Sequence, residues 1–104
     1  MQFDVYANPS PRSKVAYPYV VDVQSNLLNS LNTRLVIPLA TTALASSSIP
    51  KRLCPVFVIA GQSLMLIPFE SSAISKSLVK KKVATLKANS HEILSALDAV
   101  FSGV

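Results

Sequence analysis

Glycine is almost missing from this chain: Gly61 and Gly103 are the only two among 104 residues. A phosphate-cradling loop needs several glycines so that backbone N–H groups can approach the ligand, and none can be built here. Cys54 is the single cysteine, which excludes an internal disulfide. One cysteine and one histidine, His91, fall short of a zinc site. Because Cys54 lies in the apolar run Leu53-Cys54-Pro55-Val56, a buried thiol in a reducing compartment is expected.

Acids are scarce as well. Asp4, Asp22, Glu70, Glu92 and Asp98 are scattered, with no paired spacing for general acid–base work. His91 reads as a solvated residue on the polar side of a helix, two turns from Asp98. Arg34, Thr33 and the lysines are what remains for chemistry on RNA, so catalysis is disfavoured. Charged residues are only 14% of the chain while half its residues are apolar. That imbalance fits either one face covered by a second subunit, the favoured reading, or a surface rich in Ser, Asn and Thr. No membrane-length run survives scrutiny. Residues 53–69 approach it, but Pro55, Gly61, Gln62, Ser63 and Pro68 interrupt the run and make it a buried hairpin. The N-terminal "MQFDVYANP" has neither a basic region nor a long apolar stretch, so no signal peptide is expected.

What is present is mostly strand pattern. The length suits one small domain, residues 1–104. "QFDVY" alternates, with Phe3 and Val5 on one face and Asp4 on the other. "ANPSPRSK" reads as a loop, and "YPYVVDVQ" as a strand that Pro18 confines to an edge or an entry. "SNLLNSLN" is a turn that nonetheless carries Leu27 and Leu28. "TRLVIPLA" is apolar on both faces, as in a central strand, with Pro38 marking its end or a bulge. "TTALASSSIPKR" is a small-residue connection with room for a helical turn. "PVFVI" and "SLMLIPF" flank "AGQ" as a hairpin with Gly61 in its turn, and "SAISKSLV" adds a further short strand. The period then changes: Val83, Leu86, Ile93, Leu97, Val100 and Phe101 recur at helical spacing. The predicted helix buries Leu86 to Val100 and exposes the flank from Asp98 to Ser102. The fold class is mostly β, a small antiparallel barrel with one C-terminal α-helix.

The net charge is +5. Lys76, Lys80, Lys81 and Lys82 cluster in "KSLVKKKV", which the same pattern sets just before the helix, where its dipole gives them nothing. They form either a solvated cluster or a landing site for an acidic partner. Direct nucleic-acid binding is the weaker reading, because no aromatics alternate with the lysines.

Taken in order, Met1 to Phe3 with Val5 and Tyr6, then "VVDVQS", "TRLVIPLA", "LCPV" and a helix ending in Phe-x-Gly-Val, the chain resembles the CcdB family of bacterial toxins. The resemblance runs its whole length. It implies an SH3-like barrel with a C-terminal helix, assembled as a cytoplasmic homodimer without cofactors. It also implies a poison rather than an enzyme, one that lodges between gyrase A subunits and traps the cleaved DNA–gyrase complex. The implied partners are the gyrase A subunit and a partly disordered antitoxin. The antitoxin would use Lys80, Lys81 and Lys82, and operator DNA is reached only through it. Leu27 and Leu28 match an apolar gyrase-contacting pair. Phe101, Gly103 and Val104 match the terminal Phe-Trp-Gly-Ile, and the C-terminal helix end is the second contact. Two positions depart from the family: its tryptophan is Ser102 here, and an asparagine one turn earlier is Asp98. Those changes imply weakened gyrase action. The alternatives are an endoribonuclease of the same barrel architecture and a non-toxic homologue that only binds antitoxin.

Overall fold

The computed structural model describes residues 1–41 and 52–102. The connection expected to hold a helical turn, and the terminal pair Gly103 and Val104, lie outside the described residues. Among the described residues, seven strands and one α-helix follow in chain order: β1 (Asp4–Ala7), β2 (Tyr19–Asp22), β3 (Thr33–Thr41), β4 (Val56–Ile59), β5 (Gln62–Leu66), β6 (Ser72–Ser75), β7 (Lys82–Thr85) and α1 (Ser90–Ser102). All strand pairs are antiparallel, in the order β4-β5-β3-β2-β1-β7, with β6 also on β3. The sheet curls into a half-barrel with a C-terminal helix, as the pattern predicts.

β3 is the spine. One side pairs with β2; the other takes β6 along Thr33–Val36 and β5 along Leu39–Thr41. Being covered on both edges and both faces, it carries the double-sided apolar pattern of "TRLVIPLA". Pro38 neither ends nor bulges this strand; it sits inside it, opposite Val20. Its carbonyl accepts from Ile67 N at 3.1 Å, on the side where β5 leaves and β6 has yet to begin. In an antiparallel ladder a residue's N and O face the same neighbour, so the missing N–H falls in that gap and no ladder bond is lost. The β4–β5 hairpin closes through Ala60 and Gly61, both at positive φ (52° and 78°), the combination a two-residue turn of primed type requires.

The helix is shorter than its periodicity suggests. Val83 and Leu86 precede it: Val83 belongs to β7, whose residues pair with β1, and Leu86 lies between strand and helix. The lysines therefore do not abut the helix N-terminus. Lys82 is a strand residue, and a 3-10 turn, Lys87–Asn89, intervenes before α1. The free edge of β7 begins with that lysine, a charge that discourages edge-to-edge pairing.

Two layers of core result. Val5, Val21, Ile37, Leu39, Leu64 and Leu66 line the face against Ile93 and Ala96 of α1. The opposite face of β1, β2 and β3 is also covered: Tyr6, Val20 and Val36 pack against Ile74 and Val79. Asp4, on the face away from Val5, is therefore buried. Cys54 is buried too, and burial, with Glu70 nearby, raises its thiol pKa. None of the described helices is long and apolar enough to cross a membrane.

Candidate functional site

Burial on both faces puts polar residues of β1, β2 and β3 inside the protein. Asp22 lies opposite Val36, and Arg34 is two residues along β3 on the same face, a diagonal neighbour. Arg34 Nε donates to Asp22 Oδ2 at 2.8 Å, and Nη2 lies at the same distance from that oxygen. Both side chains are within a few per cent of complete burial. The Met1 ammonium completes the cluster, 3.7 Å from Asp22 Oδ2 and 3.5 Å from Asp4 Oδ2. It also donates to the Tyr6 hydroxyl at 3.1 Å. Burial, and then the two carboxylates, push the Tyr6 phenol above its ordinary pKa, with Arg34 opposing. A cavity of about 230 Å³ opens over this cluster, bounded by Asn29, Lys76 and Val79.

Immediately beside it stands the turn that carries the predicted apolar pair. Residues Asn26–Leu28 form one 3-10 turn with no buried side chain. Leu27 is 93% exposed and Leu28 is 47% exposed. Ser25 caps the turn, its Oγ accepting from Leu27 N at 3.2 Å. A leucine with almost its whole side chain in water is not part of the core.

The second predicted contact is the end of α1. Ile93 and Ala96 are its fully buried residues, with Leu97 packed partly beside them. Asp98, Phe101 and Ser102 face water, and Phe101 is 80% exposed. Ser102 Oγ donates back to the Asp98 carbonyl at 2.7 Å, one turn earlier. The two presented surfaces thus sit on separate elements.

Lys80 and Lys81 border a cavity of about 270 Å³ together with Lys14, which sequence reasoning passed over, and Leu78. This cavity shares Asn8, Pro9 and Leu78 with a larger one, about 390 Å³, floored by Val20, Val36, Pro38 and Ile74. Tyr17 and Glu70 stand at the larger cavity; burial, and then Glu70, raise the Tyr17 pKa. Lys82 is exposed on β7 and does not border either cavity.

Residues that catalysis would need do not converge among the described residues. His91 is exposed beside Arg52 and Glu92 at a separate cavity. No group of three or more metal-binding side chains forms among the described residues. Arg34, a candidate for RNA chemistry, is held by Asp22 inside the protein. The ion pair itself was missed as a site because its members are scattered in sequence. Its one trace is a charged residue inside each apolar strand, Asp22 in "VVDVQ" and Arg34 in "TRLVIPLA".

The family model described as "CcdB protein" covers residues 2–103.

Proposed function

Because this chain belongs to the CcdB family, and is accordingly a toxin of the toxin–antitoxin kind, we propose that it acts as a homodimer on DNA gyrase. It binds the A subunit and traps the cleaved DNA–enzyme complex, a poison rather than a catalyst. The observation that carries this reading is Leu27, held out into water on a turn that Ser25 caps. Leu28, Phe101 and the helix end supply the rest of the docking surface, with Gly103 and Val104 continuing it. Ser102 and Asp98 weaken it, since neither offers the apolar area of an interface anchor. Calorimetric titration into the purified gyrase A subunit tests the reading. Weak but saturable binding, lost in Leu27→Ser, is expected; no heat at any concentration would defeat it. An RNA-cleavage assay on the same preparation separates the endoribonuclease alternative, and capture of antitoxin without gyrase binding would mark a non-toxic homologue.

The homodimer accounts for a surface with so few charges. Light scattering at micromolar concentration should return twice the chain mass of 11.1 kDa. A monomer mass would exclude the dimer.

The antitoxin-binding role falls to the lysine side. Lys80 and Lys81, beside Lys14 at a cavity that leads onto an apolar floor, suit a segment mixing carboxylates with apolar residues. Repression of the operon then passes through the antitoxin. Exposed charges of this kind act mainly on encounter. Replacing Lys80, Lys81 and Lys82 together by Gln should slow association with the cognate antitoxin about tenfold at low salt and flatten its salt dependence. An unchanged association rate would reduce the lysines to solvating groups.

A further inference from the structure

No side chain of the Asn26–Leu28 turn is fully buried, yet three side chains reach it from outside. Gln24 Nε2 donates to the Leu28 carbonyl at 3.0 Å. Arg34 Nη1 donates to Asn29 Oδ1 at 2.8 Å, and Lys76 Nζ to the Asn29 carbonyl at 3.1 Å. Gln24 and Arg34 are both buried and both rest on Asp22: Oδ1 accepts from Gln24 N at 3.0 Å, and Oδ2 takes the guanidinium. Gln24 is fixed at its other end as well, since Oε1 accepts from Leu35 N at 2.9 Å. The turn is therefore tied to the sheet through Asp22, which holds Arg34 and the Gln24 backbone, and directly through the Gln24 amide on Leu35 N.

We propose that Gln24, Arg34 and Asn29, all referred to Asp22, are positioning residues that set the direction of Leu27 and Leu28. This rests on the reading of that pair as the gyrase contact, although the clamp itself is a property of the free protein. A short surface turn without these contacts would sample more conformations, and ordering it on binding would cost affinity. The clamp removes that cost beforehand. It touches no partner directly.

Asn29 is the residue to test, because it is half-buried and its removal leaves the Asp22–Arg34 pair intact. Asn29→Ala deletes the acceptor for Arg34; Asn29→Asp keeps an acceptor and adds charge complementarity. Amide hydrogen exchange in the free protein reads the clamp alone. Exchange at Leu27 and Leu28 should rise several-fold in Asn29→Ala and stay at the native rate in Asn29→Asp, with β3 amides unchanged in both. Calorimetry against the purified gyrase A subunit reads its consequence: about a tenfold loss of affinity in Asn29→Ala, recovered in Asn29→Asp. Native exchange in Asn29→Ala, or a loss of affinity that Asn29→Asp does not recover, would overturn the proposal. Absence of binding by the native protein would overturn the gyrase reading instead, leaving the exchange result to decide the clamp.

Discussion

Arg34→Met is expected to be among the most destabilising single changes in the chain. It leaves Asp22, which is almost completely buried, without its principal counter-charge. Breaking a buried pair from one side costs about 3–5 kcal/mol, because the remaining charge is stranded in low dielectric. In a domain of this size each kcal/mol moves Tm by roughly 4–8 °C, so a fall on the order of 20 °C is expected. The Met1 ammonium, 3.7 Å from the same carboxylate oxygen, offsets part of the loss and keeps the figure toward the lower end. Removing both charges is a different experiment. Asp22→Leu with Arg34→Met should recover most of the stability, since apolar replacements of a buried pair are often neutral or better. Gln24 N loses its acceptor in that variant, a cost of about 1 kcal/mol. The double variant should therefore fold but hold the Leu27–Leu28 turn loosely. Thermal unfolding of the two single variants and the double variant checks this. Losses that simply add would show that Asp22 and Arg34 act independently, contrary to the 2.8 Å contact.

The largest gain is expected at the other end of the chain. Ser102→Trp, combined with Asp98→Asn, should tighten binding to the gyrase A subunit about thirtyfold. Both side chains are in water, so neither change needs core space. The serine hydroxyl gives up one bond, to the Asp98 carbonyl, and that carbonyl can turn to water. The stability change from such a surface substitution stays within about 0.5 kcal/mol. Asp98 lies near the C-terminal end of α1, where a negative charge opposes the helix dipole, so Asn is slightly favourable there. On the partner side an indole next to exposed Phe101 adds apolar area worth about 2 kcal/mol. Asp98 in the native protein must be desolvated against that same surface, which limits Ser102→Trp alone. Each single change should thus fall short of the pair. Native binding already at nanomolar strength, with nothing gained from the tryptophan, would show that Ser102 does not occupy a vacated anchor position.

Much of this architecture is legible in the sequence because its signals are local. Alternation identifies β1 and β2, double-sided apolarity identifies β3 as central, and the Gly61 turn identifies the hairpin. β7 is not legible for the same reason. Its one large apolar residue, Val83, is exposed and falls by coincidence at helical spacing from Leu86 and Ile93, while the residue that packs on the core is the small Ala84. Only pairing with β1, about eighty residues away, makes it a strand. Pro38 misleads in a similar way. What makes it harmless is a gap between two neighbouring strands, which is a property of the sheet and not of the segment. Of the candidate site, Leu27 and Leu28 stand out as apolar residues inside a polar turn, and Ser102 falls off the apolar stripe of the helix with Phe101 at its edge. The Asp22–Arg34 pair and the Asn29 clamp depend on diagonal contacts across strands, and nothing in residue spacing announces them.

Arrest of gyrase on cleaved DNA is the property on which the proposed function rests. The direct measurement is incubation of the purified protein with DNA gyrase, ATP and supercoiled plasmid, followed by detergent and protease, then quantification of linear DNA. The native protein should raise linear DNA modestly above the gyrase-only background. The Asp98→Asn, Ser102→Trp double variant should raise it strongly, and adding Leu27→Ser to that variant should return it to background. Linear DNA at background with both the native protein and the double variant would contradict the account.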